Sequence, residues 1–161
     1  MFYGQQNYST LRTLDNLGTV YLDLGKIEEA RKAHETALNG MRELFGDDNV
    51  YTSRAAANLA AAQAKAGNFD AAVALATGAV ITLEKIFDTN HNHTLKAAAL
   101  LGAVMRQNGR EEIATKVLSQ TAAIANKELG KDHFITKSCE KELKLVDALQ
   151  KSPQEHRLMS E

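Results

Sequence analysis

The chain has 161 residues, 44% of them hydrophobic and 24% charged, with one proline, which excludes a disordered, collagenous or proline-rich polymer and leaves enough sequence for a packed core. Nineteen Lys and Arg oppose twenty Asp and Glu, so the formal charge of -1 lacks the cationic excess of a nucleic-acid binder. No apolar run approaches the roughly 20 residues of a membrane span, and a lone Cys139 cannot close an intramolecular disulfide, so a cytoplasmic, non-membrane setting is expected.

One offset organises the chain: Thr10, Thr52, Thr94 and Thr136 fall 42 residues apart, as do Leu17, Leu59, Leu101 and Leu143. The first segment, from Met1 to Gln6, lacks the basic region and apolar stretch of a secretory signal. In the repeat register Phe2, Tyr3 and Gly4 align with Leu44, Phe45 and Gly46. They are therefore expected to close a preceding helix, as at the end of a longer array. The first helix would then carry an apolar outer side able to recruit a second copy, a homo-oligomer through the N-terminal repeat. The alternative is that residues 1–9 form a short N-cap of their own and the protein is complete.

Leu14, Leu17, Val20, Tyr21 and Leu24 recur at steps of three and four, which predicts a helix over 10–24. Gly25 follows, where a residue without a Cβ can take the positive φ that ends a helix, and Gly67 and Gly109 repeat the signal. A second helix over 27–45 carries Ile27, Ala30, Ala33, Ala37, Leu38, Met41 and Phe45. The same pair recurs at 52–66 with 69–87 and at 94–108 with 111–129. Small residues at Gly18, Ala30, Ala37, Ala60, Ala72, Ala79, Gly102 and Ala114 allow close antiparallel packing within each pair.

Between the pairs, Asp48, Asn90 and Asp132 occupy one slot and are expected to cap the next helix. A last helix over 134–151, with Leu143, Val146 and Leu149 inward and Lys141, Glu142, Lys144, Asp147 and Lys151 outward, should cap the array, and Ser152-Pro153 should end it before a tail at 152–161. One domain over 1–151 results, with units at about 10–51, 52–93 and 94–135 and a capping helix at 136–151. The fold class is all-α, a solenoid of three antiparallel helix pairs plus the cap.

The stretch TLRTLDNLGTVYLDLGKIEEAR, from Thr10 to Arg31, with Ala37-Leu38 and Leu44-Phe45-Gly46 behind it, resembles the tetratricopeptide repeats (TPRs) of kinesin light chains, and still more the TPR arrays at the C-termini of fungal NLR-like receptors. The resemblance covers residues 2 to 150 and implies a right-handed superhelix whose first helices line a concave groove. Departures are present. The family's loop, Gly-x-Asp-His-Pro-x-Thr, stands here as residues 46–52, 88–94 and 130–136 without any proline, with Asp88 in place of the glycine in the second copy. Glu111 replaces the apolar Ile27 and Phe69, and Gln63 replaces Tyr21, so looser packing is expected in the later units.

Signals for chemistry are weak. His91 and His93 flank one residue, but no acidic or Cys ligand set accompanies them, so no metal is expected. Gly18 and Gly25-Lys26 have six residues between them where a phosphate loop has four between its glycines, and Ile27 stands where that loop has Ser or Thr. No nucleophile elbow surrounds any serine, and Cys139 has no readable catalytic neighbourhood. The expectation is a protein that is not an enzyme and has no cofactor.

Counting turns along the first helix of each pair places Arg12, Asn16, Thr19 and Asp23 on one stripe, Arg54, Asn58, Ala61 and Lys65 on the next, and Lys96, Leu100, Ala103 and Gln107 on the third. An Asn amide can both donate to and accept from an extended peptide, and Arg and Lys can hold a carboxylate. The resemblance extends peptide contact specifically to Asn16 and Asn58. The expected function is a non-catalytic module that binds a peptide or a partner's segment, preferring acidic residues or a free carboxylate. The alternative is the ligand-sensing, autoinhibitory or self-assembly end of a larger NLR-like receptor.

Overall fold

The computed structural model describes residues 7–158, with side chains through residue 149. The expectations for Phe2, Tyr3 and Gly4 lie outside the described residues. Seven helices follow one another: α1 (Tyr8–Asp23), α2 (Ile27–Phe45), α3 (Val50–Lys65), α4 (Phe69–Ile86), α5 (Asn92–Gln107), α6 (Glu111–Leu129) and α7 (Phe134–Leu158). No strand occurs among the described residues.

Within each pair the turn is built the same way. Gly25, Gly67 and Gly109 take φ of 73°, 82° and 68°. The next amide reaches back five residues, with Lys26 N donating to Tyr21 O at 2.8 Å, Asn68 N to Gln63 O at 2.9 Å and Arg110 N to Met105 O at 2.9 Å. This Schellman closure uses carbonyls that the helix end would otherwise leave open.

Between pairs, the capping slot is one residue later than expected. Asn7 and Asn49 accept from the amides of Ser9 and Tyr51 through Oδ1, at 2.9 and 2.8 Å. His91 and His133 accept from His93 and Ile135 through Nδ1, each at 3.3 Å. These four caps are themselves 42 residues apart. The correction has a physical cause: the cap must stand in extended backbone just ahead of the first turn, as Asn49 does at φ -137° and ψ 146°. Asp48, Asn90 and Asp132 lie one residue too early to take that position. Separately, α1, α3 and α5 begin at Tyr8, Val50 and Asn92, two residues before the expected starts.

Helices α1, α3, α5 and α7 each touch the next of their kind, whereas α2, α4 and α6 do not touch one another. The first helices of the pairs therefore line the inner side of the curve. The largest buried cluster is in the later units, joining Leu95, Leu101 and Met105 to Leu118, Ile135, Cys139 and Val146. The later units thus bury the larger apolar cluster despite Gln63 and Glu111. The first unit is the leaner one because α1 has no earlier helix on its outer side among the described residues: Leu17, Val20 and Leu24 are 41%, 50% and 65% exposed. The counterparts of the first two, Leu59, Ala62, Leu101 and Val104, are buried.

The last helix departs from expectation in two ways. It continues through Pro153 to Leu158, although an interior proline removes one backbone donor and crowds the carbonyl four residues before it. Leu149 is exposed, and Glu142 is not solvated but pairs with Arg106 of α5 at 2.6 Å, both side chains 17% exposed.

Candidate functional site

The inner faces of α3, α5 and α7 enclose a cavity of about 470 Å³. Arg54, Asn58 and Ala61 enter it from α3, His93, Lys96, Leu100 and Ala103 from α5, and Phe134, Ile135 and Ser138 from α7, over a floor that includes Leu83 of α4. The alanines keep the floor open. Its size falls in the range of ordinary ligand pockets, about 300–1,000 Å³.

No lining residue is acidic, while Arg54, Lys96 and His93 all carry or can carry positive charge. Neither Arg54 nor Lys96 forms a salt bridge among the described residues. Arg54 stands in the second turn of α3, His93 and Lys96 in the first turns of α5, and Phe134 at the start of α7. The positive ends of the helix dipoles thus lie on the same side of the cavity as the cations. His93 is half-buried, and its pKa is lowered, first by burial, then by Arg54, His91 and Lys96.

Of the nine groove residues expected from sequence, the structure brings Arg54, Asn58 and Lys96 into this cavity. Arg12, Asn16, Thr19, Asp23, Lys65 and Gln107 are exposed on the α1, α3 and α5 surfaces and do not line it. Arg12 lies 5.8 Å from the Tyr8 ring, and Thr19 Oγ1 donates to Asp15 O at 3.4 Å. Sequence reasoning misses His93, which it considers only as a metal ligand. The imidazole of its neighbour His91 is engaged as a helix cap and stacks on Phe87 at 4.0 Å.

Asn58 is not a free amide. Its Nδ2 donates to Asp15 Oδ2 at 2.8 Å, and the other Asp15 oxygen lies 2.7 Å from His34 Nδ1. Asp15 and His34 are buried, so the groove amide is held from behind by a polar pair in the first unit. What remains on Asn58 is its carbonyl oxygen, an acceptor, and the second N–H of its amide, a donor.

Comparison with known proteins agrees with this architecture. A family model for the tetratricopeptide repeat matches residues 9–80, which span α1 to most of α4. Those residues are tetratricopeptide repeats. The TPR fold continues beyond them: a crystal structure from Podosopora anserina of kinesin light chain nearly identical TPR-like repeats covers 97% of this chain and 74% of its own, at 22% identity and a TM-score of 0.73. A substituted form of that protein gives the same identity and coverage with a TM-score of 0.75. BtubC (BKLC) from P. vanneervenii covers 88% of this chain and 65% of its own, at 16% identity and a TM-score of 0.66. No curated protein sequence matches significantly. TPR arrays are in general protein–protein interaction modules, and no helix among the described residues is long and apolar enough to cross a membrane.

Proposed function

We propose that this TPR array is a non-catalytic interaction module whose concave groove holds an acidic segment of a partner protein. The observation that supports it is the cavity between α3, α5 and α7, where Arg54, Lys96 and His93 converge and no lining residue is acidic. A carboxylate entering there meets charge-assisted donors, and the Asn58 carbonyl oxygen can accept a backbone N–H from the same segment. Arg12, Asn16, Thr19, Asp23, Lys65 and Gln107 extend the polar surface on either side and would tune association more than final affinity.

The test is a peptide array probed with the full chain and with the Arg54→Glu/Lys96→Glu variant. Acid-rich peptides should bind the wild type and lose binding on charge reversal. Selection of neutral or basic peptides by the wild type would overturn the reading.

A second reading, assembly within a larger receptor or between copies, is favoured by the exposed Leu17, Val20 and Leu24 on α1. Light scattering separates the two. A concentration-dependent dimer that Leu17→Lys/Val20→Lys abolishes supports assembly, and a monomer at every concentration argues against pairing between copies.

A further inference from the structure

We propose that His93 is a third anion contact of the groove and takes up a proton when an acidic segment binds, so that binding tightens as pH falls. The inference deepens the groove reading above and rests on it.

The repeat register shows that His93 sits in a packing slot. Its counterparts are the exposed Ser9 on the outermost described helix and, in the interior of the array, Tyr51 and Ile135. Tyr51 packs between Tyr8 and Phe45, with ring centroids 4.5 and 5.3 Å away, and Ile135 is 1% exposed. Only α5 places an imidazole there. Its ring is held in a defined position, 6.0 Å from Phe87 and 5.3 Å from His91, and its backbone amide donates to the His91 cap. The held ring lines the cavity together with Arg54 and Lys96.

The groups that face it are known from every side. Arg54 comes from α3, Lys96 from its own helix and His91 from the preceding turn, while Leu83 of α4 and Phe134, Ile135 and Ser138 of α7 bring no charge. In the free protein, burial and these cations disfavour the imidazolium, so its pKa lies below the ordinary histidine value. A carboxylate placed between Arg54 and Lys96 offsets that repulsion and gives the imidazolium a partner. The bound-state pKa must then exceed the free-state one. By linkage, affinity rises as pH falls through the bound-state value and levels off below the free-state value, by tenfold for each unit between them.

The experiment uses the full chain and an acetylated peptide of glutamate and alanine, whose carboxylates remain largely ionised above about pH 5.5. Affinity is measured by calorimetry at about pH 7.5 and about pH 5.5 for wild type and His93→Gln, and the His93 Cε1 proton is followed by NMR with and without peptide. The wild type should bind about five- to tenfold more tightly at the lower pH, with the His93 midpoint moved upward in the complex. His93→Gln should bind with no such gain. Equal wild-type affinity at both values, an unmoved His93 midpoint, or a full gain retained by His93→Gln overturns the proposal and leaves the groove reading standing. Failure of the wild type to bind the peptide at either pH overturns both.

Discussion

The carboxylate of Asp15, on α1, accepts a hydrogen bond from the Asn58 amide, on α3, across 2.8 Å and 43 residues of sequence. Its other oxygen faces His34 Nδ1 of α2 at 2.7 Å, so one buried side chain ties both helices of the first repeat to the second. Asp15→Ala leaves two polar groups without their partner, and a buried charge-assisted bond is worth about 1.5–3 kcal/mol. Urea unfolding should show a loss of about 3 kcal/mol for Asp15→Ala, and Asp15→Ala/Asn58→Ala should cost less than the sum of the two single changes. A loss below about 0.5 kcal/mol would mean that the network contributes nothing to joining the repeats.

Gly18 exists because of the same histidine. A Cβ added there would stand 2.7 Å from His34 Cε1 and 2.8 Å from Nε2, and the ring is fully buried, so it has nowhere to swing. The equivalent slots pair Ala60 with Ala76 and Gly102 with Leu118, whose Cγ would lie 2.5 Å from a Cβ on Gly102. A bulky residue on the second helix therefore faces a glycine on the first. Gly18→Ala should cost about 1–3 kcal/mol through overpacking. In a His34→Ala background the same change should be neutral or stabilising, since it recreates the Ala60 and Ala76 arrangement. A thermal-melt cycle over the four proteins checks this, and equal costs in both backgrounds would refute it.

Asp88 takes φ 115° in a slot where Gly46 and Gly130 take 78° and 93°. Thr52 and Thr136 each donate to the carbonyl of that glycine, at 2.7 and 3.0 Å, while the buried Thr94 hydroxyl makes no hydrogen bond among the described residues. Asp88 compensates by accepting from the amides of Asn90 and His91 at 2.9 and 3.0 Å. Asp88→Ala keeps the unfavourable backbone and loses both bonds, so it should melt below wild type. Asp88→Gly should be more stable than Asp88→Ala by about 1 kcal/mol, the usual penalty of a Cβ at positive φ. An alanine variant as stable as the glycine one would show that the backbone carries no strain.

Much of this was legible in the sequence because a solenoid repeats its local physics. Gly25, Gly67 and Gly109 could be placed at turns from a single recurring signal, and Ala30, Ala72 and Ala114 at helix contacts, because each unit solves the same packing problem. Adjacent polar residues were harder: Asp48 and Asn49 are both competent caps, and only backbone geometry selects the second. The link from Asp15 to Asn58 was not legible, since it depends on the spacing of helices from different repeats. His93 was obscured for another reason. A histidine in a loop looks the same whether its ring caps a helix, as His91 does, or turns into a groove.

Cys139 offers a readout for the end of the array. It is fully buried on α7, and burial first, then Glu142 and Glu140, push its thiol up to about 11. Because the thiolate is the reactive form, the folded protein should resist a thiol reagent at neutral pH, and reaction should require α7 to lift from α5 and α6. Among the described residues α7 packs on α5 and α6 alone, so its opening should cost less than the global free energy. The Arg106–Glu142 pair spans α5 and α7 at 2.6 Å with both side chains only 17% exposed, so it opposes that opening. Glu142→Gln removes one charge while keeping the shape, at a cost of about 1–2 kcal/mol, which converts to a labelling rate about five- to thirtyfold higher than wild type. The far-UV circular dichroism spectrum and the urea midpoint of the first repeats should change little, because the opening is confined to α7. Labelling of wild-type Cys139 as fast as that of a small-molecule thiol would show that α7 is not docked. An unchanged rate in Glu142→Gln would show that the ion pair does not hold it.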